Sequence, residues 1–368
     1  MILEQISILN YKNIHQAELT LSPNVNCFIG NNGMGKTNVL DAVYYLSFCK
    51  SASTQQDSLV VCHDADFMML QGRYRNAVDE PEVISVGVKR GQRKHFKRND
   101  KEYKRLAEHL GLIPLVMISP ADSELITGGS EERRRFMDVV ICQYSVRYTE
   151  ALMRYQKTLQ QRNALMKQDD EPDPGLCSVL EEMMAMDADV IYAERRAMIA
   201  EFLPIFKDVY TRLCNNDYEE VSITYESHGD RGNLGPILHD WRARERVVGY
   251  TLHGPHKDNL ELLMNGYNVR REGSQGQKKT YFIAMKLAQF LYLKTKGERQ
   301  TPILLLDDIF DKLDAGRVAC IVDYVGGEAF EQIFITDTNR DHLDSILSAT
   351  TRDYRLFHVE QGQIIEQH

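Results

Sequence analysis

A chain of 368 residues exceeds the size that one hydrophobic core usually serves, so two domains, or one domain with a large insertion, are expected. Its 43% hydrophobic and 26% charged residues are those of a soluble globular protein, and no apolar run reaches the length of a membrane span. With 44 basic and 53 acidic residues the net charge is −9, which excludes coating of nucleic acid by overall charge; any such contact must come from a local basic patch.

The start, Met1-Ile2-Leu3-Glu4-Gln5, has neither the basic nor the apolar region of a signal peptide. The seven cysteines are scattered and form no C-x-x-C, so they read as free thiols in a reducing compartment, with a cytoplasmic location expected.

Residues 2–9 alternate in polarity, 11–14 turn, and 17–21 alternate again, predicting a β-meander. Asn26 to Ile29 follow as a short buried strand. Then comes Gly30-Asn31-Asn32-Gly33-Met34-Gly35-Lys36-Thr37-Asn38, which matches G-x-x-x-x-G-K-[ST], and a helix carrying Val39, Leu40, Ala42, Val43 and Leu46. Strand, loop and helix are the setting a P-loop requires; a bare Gly/Asn turn before an ordinary helix is the alternative. Glycines let successive N–H groups turn inward as an anion nest at a helix N-terminus. Lys36 would reach the β- and γ-phosphates of ATP, and Thr37 would offer its hydroxyl to Mg²⁺.

Strands are expected at 67–74, 83–88 and 113–118. Between them, residues 90–105 are the most basic stretch: Arg93, Lys94, Lys97, Arg98, Lys101 and Lys104, with Phe96 and Tyr103 interleaved and Asn99-Asp100 as a hairpin turn. It reads either as a DNA-contacting ribbon with aromatic faces for stacking or as a solvated hairpin.

From Ser130 to about residue 167 the pattern is helical, with a stripe of Phe136, Val139, Val140, Tyr144, Tyr148, Leu152, Tyr155 and Leu159. A Pro/Gly/Asp turn at 169–175 separates it from a second helical run to Cys214, an α-hairpin whose methionines read as packing filler. Arg133-Arg134-Arg135 reads either as a nucleic-acid contact or as a solvated helix start. A strand at 221–225 follows. His253 and His256 with Asp258 suggest a metal site, a reading set aside because no further clear ligand completes it.

Ser274-Gln275-Gly276-Gln277 precedes a further helix and offers a hydroxyl and backbone N–H groups as a second anion site. In an ABC-type arrangement Ser274, Gly276 and Gln277 serve the nucleotide of a second, head-to-tail subunit. The run 301–308 is a buried parallel-type strand ending in two acids. Asp307 would hold Mg²⁺ and Asp308 would act as general base, making Lys36 and Asp308 the candidate catalytic pair. Phe310-Asp311-Lys312-Leu313-Asp314 is similar to a D-loop, placing Asp314 at the same nucleotide, and a last strand is expected at 333–338.

Taken together the chain resembles the bacterial RecF family of recombination and replication-repair proteins, essentially end to end. The likeness rests on Leu9-Asn10-Tyr11-Lys12-Asn13, the P-loop, Ser119-Pro120-Ala121-Asp122, and Glu132-Arg133-Arg134-Arg135-Phe136-Met137-Asp138. It continues through Gln161-Arg162-Asn163-Ala164-Leu165, Thr251-Leu252-His253-Gly254-Pro255-His256-Lys257-Asp258, Ser274-Gln275-Gly276-Gln277 and Leu306-Asp307-Asp308. The resemblance implies an α/β fold, an ABC-type P-loop ATPase head like those of Rad50 and SMC proteins, with an inserted helical lid. The expected division is an N-terminal lobe at 1–122, a lid at 123–248 and a C-terminal lobe at 249–368.

The resemblance also implies an ATP-dependent homodimer on double-stranded, gapped DNA, slow DNA-stimulated hydrolysis, and work with RecR and RecO to load RecA. Three positions depart from the pattern: Ser53 stands where relatives often carry Arg, Asp337 where ABC enzymes carry His, and no Q-loop Gln is found. An acid facing the γ-phosphate would repel it, so Asp337 is expected to point elsewhere, with 119–122 standing in for the Q-loop. Two other readings are weighed against this one: another ABC-branch ATPase, and a DNA-binding scaffold that uses ATP only as a dimerisation ligand.

Overall fold

Alternate residues of the opening segment point inward. Strand β1 (Ile2–Tyr11) buries Leu3, Ile6, Ile8 and Tyr11, its first change of phase falling at a register shift between Leu3 and Gln5. The computed structural model describes residues 1–54, 56–168, 170–214, 218–297, 300–310, 315–327, 329–338 and 353–367. After β1 come β2 (Ile14–Thr20), β3 (Val25–Ile29), α1 (Lys36–Phe48), β4 (Phe67–Arg75), β5 (Pro81–Lys89), β6 (His95–Arg98), β7 (Lys101–Glu102) and β8 (Leu115–Ile118). Helices α2 (Glu124–Thr127), α3 (Ser130–Ile141), α4 (Val146–Met166) and α5 (Pro174–Cys214) follow. Then come β9 (Val221–Glu226), α6 (Leu234–Val248), β10 (Asn259–Met264), β11 (Tyr267–Asn268), α7 (Val269–Glu272) and α8 (Gln275–Lys296). The chain closes with β12 (Ile303–Asp307), α9 (Ala315–Gly326), β13 (Ile333–Asp337), β14 (Tyr354–Glu360) and β15 (Gln363–Gln367).

Two compact units result, the first from Met1–Asp122 and Ile283–His368 with the end of α5, the second from Ser123–Thr211 and Asn216–Phe282. The first holds two six-stranded sheets, β2-β1-β4-β5-β6-β7 and β15-β14-β3-β13-β12-β8. In the second sheet β14, β3, β13, β12 and β8 run parallel, and β3, β13, β12 and β8 are buried along nearly their whole length, as cover on both faces demands. Helix α1 touches β1, β4 and β5 of one sheet and β8, β12 and β13 of the other. It is accordingly buried all round, from Val39 to Phe48, rather than along one stripe.

In the second unit β9 pairs with β10 and β10 with β11. This pairing carries the unit past residue 248, where the sequence marks the end of the lid, to Phe282. The single helical stripe expected from Phe136 to Leu159 is in fact two helices. Cys142 ends α3, and Ser145 starts α4 by accepting the Tyr148 N–H at 3.2 Å. Of the methionines read as filler, Met166, Met184 and Met198 are buried, whereas Met153, Met183 and Met186 are exposed.

Candidate nucleotide site

Strand β3 lies between β13 and β14, so the loop after it opens at the carboxyl ends of the parallel strands, where ligands of open α/β sheets bind. Gly33 (φ 80°) and Gly35 (φ 114°) take backbone conformations that side chains rarely tolerate. A Cβ on Gly35 would also stand 2.8 Å from Asn13 Oδ1. Lys36, 3% exposed, donates from Nζ to the carbonyls of Gly30 (2.8 Å) and Asn31 (3.2 Å), with Asp308 Oδ2 at 4.0 Å. Its ammonium therefore lies folded over the loop that would cradle phosphates.

Thr37 Oγ1 donates to Asp307 Oδ1 at 2.8 Å, joining two halves of the site that lie far apart in the chain. Thr336 Oγ1 donates to the same oxygen at 2.8 Å and accepts the Asp308 N–H at 3.0 Å. Burial pushes the Asp307 carboxyl above its ordinary range, and the hydroxyls of Thr336 and Thr37 and the Lys36 ammonium pull it back. A buried carboxylate and a hydroxyl on adjacent elements are the hard oxygen donors that Mg²⁺ takes, and Mg²⁺ keeps the rest of its octahedron for water and phosphate. The donor set fits the ion. Asp122 acts on Asp307 through its charge and is paired with Lys286 at 3.3 Å, which sets the 119–122 stretch near the acids.

Asp337 follows Thr336 on β13, so strand alternation turns it to the opposite face from the Thr336–Asp307 contact. It is 5% exposed, and its charge adds to the burial that pushes the Cys27 thiol up to about 12. Ser53 Oγ accepts from Lys12 Nζ at 2.7 Å, and Lys12 is ion-paired with buried Asp41 at 2.5 Å. Asp41 also accepts from Tyr11 OH (2.7 Å), Ser51 Oγ (2.7 Å) and the Ala52 N–H (2.6 Å).

At the start of α8, Ser274 and Gln277 form a reciprocal capping box. The Ser274 N–H donates to Gln277 Oε1 (2.8 Å), and the Gln277 N–H donates to Ser274 Oγ (3.2 Å). Gln277 Nε2 is held by Glu219 Oε1 at 2.7 Å. Ser274 is exposed, and the first-turn N–H groups of a helix lack intrahelical partners, so the loop presents donors outward. Residues 311–314, including Asp314, lie outside the described residues.

The sequence model of the RecF/RecN/SMC N terminal domain family matches residues 2–364. A DNA replication and repair protein RecF from Phocaeicola vulgatus is 57% identical over 366 residues, covering 100% of this chain and 98% of the relative. The chain belongs to the RecF family. A second relative of the same description, from Bacteroides thetaiotaomicron, is 53% identical, covering 100% of this chain and 99% of its own. Among solved structures, the recombination mediator protein RecF with ATP in the RecFOR pathway has a TM-score of 0.88 at 28% identity, covering 100% of this chain and 98% of that one. An Smc head bound to the C-winged helix domain of ScpA has a TM-score of 0.60 at 15% identity, covering 100% of this chain and 98% of that one, and shares the fold. The fold of this RecF-family chain is thus an ABC-type ATPase head with an inserted helical unit.

The basic ribbon forms the hairpin expected, with Asn99 and Asp100 at positive φ in its turn. Its aromatic faces are a correction. Phe96 points inward on β6 and is 1% exposed, while Tyr103 and His109 pack against it, so these rings are not free to stack on bases. Lys94 is paired with Asp57 at 3.0 Å, and Arg98 is held by both oxygens of Glu82 at 2.7 Å. Those two cations are internally neutralised; Arg93, Lys101 and Lys104 remain exposed.

Two contributors were not singled out from the sequence for the site. Asn13, in the β1–β2 turn, donates from Nδ2 to the Met34 carbonyl (3.1 Å) and accepts Asn38 Nδ2 (2.7 Å), pinning the P-loop. Thr336 stands one residue before Asp337, the position where ABC enzymes carry His, and its hydroxyl was the available signal.

Proposed function

We propose that this chain is an ATP-dependent DNA clamp of recombinational repair and replication restart. The observation that carries the reading is the Thr37–Asp307 contact beside Lys36 and Asp308, a P-loop and a paired-acid strand already in register. Lys36 and the P-loop N–H groups from Gly30 to Asn38 bind the ATP phosphates, and Thr37 and Asp307 hold Mg²⁺, whose charge offsets that developing on the transferred phosphoryl. Asp308 orients and deprotonates the attacking water. Ser274, Gly276 and Gln277 reach the nucleotide of a second copy, so ATP closes a head-to-tail dimer on duplex DNA near gaps, and slow hydrolysis opens it. Membership of the RecF family, and the RecFOR pathway named for the ATP-bound relative, support work with RecR and RecO and, through them, RecA.

Light scattering without nucleotide and with ATP–Mg²⁺ tests this reading. Wild type should pass from monomer to dimer, and Ser274→Arg should remain monomeric while still binding ATP. Asp308→Asn should dimerise and outlast wild type on DNA, because binding survives and hydrolysis does not. A wild type that binds ATP yet stays monomeric in the presence of DNA removes the composite site. Equal DNA retention by wild type and Asp308→Asn favours the scaffold that uses ATP only as a ligand.

A further inference from the structure

Positive charge in the second unit gathers around one buried carboxylate. Asp258, 0% exposed, accepts from Arg195 Nη1 (2.9 Å) and Tyr225 OH (2.5 Å) on Oδ2, and from the His228 N–H (2.8 Å) on Oδ1. Arg195 reaches Asp138 with its other arm at 2.8 Å. That carboxylate is engaged by Arg195, Tyr225 and the His228 N–H, and no second cation is ion-paired with it among the described residues. Arg134 donates from Nη1 only to the Asp258 carbonyl (2.8 Å) and Ser130 Oγ (2.9 Å). Lys257, next in the chain to Asp258, holds its Nζ 4.9 Å from the centre of the Tyr250 ring. Arg231 is exposed at the end of the short turn His228–Arg231, whose first residue is tied to Asp258.

None of Arg134, Lys257 and Arg231 has a carboxylate within ion-pair distance among the described residues, unlike Lys94 and Arg98 of the basic ribbon. Their crowding is felt in the titration of their neighbourhood. Burial, then the Arg134 charge, lowers Lys257, against a smaller opposing pull from Glu245. Burial, then Arg231, His253, Lys257 and Arg134, holds His228 down to about 4. Like charges crowded together repel one another, an unfavourable arrangement that a bound polyanion reverses. The three side chains come from three separate elements rather than from one glycine-rich loop, Arg231 exposed and Arg134 and Lys257 half-buried, so the complementary ligand is a string of phosphates rather than one nucleotide.

We propose that Arg134, Lys257 and Arg231 on the inserted unit form a phosphate-backbone contact for duplex DNA. The inference rests on the clamp reading above and assigns it a surface the sequence left open between the helical insertion and the basic ribbon. Phosphate contacts fix position without reading bases, so binding here is independent of sequence and strongly salt-dependent.

The test is the affinity of full-length protein with ATP–Mg²⁺ for a fluorescent duplex across a salt series. It compares wild type, Arg134→Gln/Lys257→Gln/Arg231→Gln, the double variant Lys257→Gln/Arg231→Gln, and the ribbon variant Arg93→Gln/Lys101→Gln/Lys104→Gln. The slope of log affinity against log salt should become shallower by roughly one per residue removed, about three for the triple and about two for the double. The double variant leaves the Arg134 hydrogen bonds in place and should keep ATP-driven dimerisation, separating lost DNA contact from lost folding. Lid variants with the wild-type slope and affinity overturn the inference, most directly if the ribbon variant alone is weakened. Failure of ATP-bound wild type to bind duplex at all is a different result: it removes the clamp reading, and this inference with it.

Discussion

Lys36→Ala should lose ATP affinity by roughly a hundredfold or more, and with it ATP-driven dimerisation. Lys36 is 3% exposed and its Nζ donates to the Gly30 and Asn31 carbonyls at 2.8 and 3.2 Å, so its position over the loop is set before any ligand arrives. A phosphate entering the nest formed around Gly33 and Gly35 meets a charge whose desolvation and ordering are already met by the fold, which is what preorganisation contributes to affinity. Truncating one partner of a buried, hydrogen-bonded charge pair costs about 2–5 kcal/mol, and each 1.4 kcal/mol is about tenfold in affinity. Lys36→Arg should recover little, because a planar fork cannot occupy the point position of an ammonium between two carbonyls. Equilibrium binding of a fluorescent ATP analogue measures both variants. Unchanged affinity in Lys36→Ala would remove this residue from the site. The protein itself should remain folded, since Asp307 keeps the hydroxyls of Thr37 and Thr336 when the Lys36 charge is lost.

What the sequence disclosed follows from how local each feature is. The P-loop and the paired acids at 307–308 are contiguous, and each lies where a strand ends, so composition and order alone place them. Strands β8, β12 and β13 are legible because burial on both faces gives each a run of three or four apolar residues. The Thr336–Asp307 contact is not legible in this way, because it joins two strands whose adjacency is fixed only when the sheet forms. Asn13 is hidden for the same reason. Its two partners lie beyond the β1–β2 turn, and an Asn in a turn already has a local explanation. The ribbon misled through alternation. In β6 one residue in two must face the sheet, and Phe96 rather than a lysine takes that place. The stripe from Phe136 to Leu159 misled because its four-residue spacing continues across the break at Cys142–Ser145; the capping serine was the sign of a new helix.

Arg162→Met should lower the stability of the second unit by about 3–5 kcal/mol. Arg162 is 0% exposed, and each of its five N–H groups has an acceptor. Nε and Nη2 donate to Glu181 Oε1 at 3.2 and 3.0 Å, and Nη2 also donates to the Leu238 carbonyl at 3.1 Å. Nη1 donates to Glu245 Oε2 at 2.5 Å and Thr251 Oγ1 at 2.8 Å. One side chain thereby ties α4 to α5, to α6 and to the loop after it. Glu181 keeps a second guanidinium, Arg242 Nη2 at 2.6 Å, and tolerates the loss. Glu245 does not. It is 0% exposed, and besides Arg162 it retains the Leu252 N–H at 2.6 Å and His253 Nδ1 at 3.8 Å. An uncompensated buried carboxylate, more than the missing hydrogen bonds, sets the size of the effect. In a thermal scan the first transition should fall by roughly 6–20 °C. Arg162→Met/Glu245→Leu separates the two causes: removing both charges should restore a large part of the loss, since a buried pair replaced by apolar groups of similar size is often neutral. If the double variant is no more stable than Arg162→Met, the stranded charge is not the cause, and the stability of this junction lies in the neutral contacts to Leu238 and Thr251.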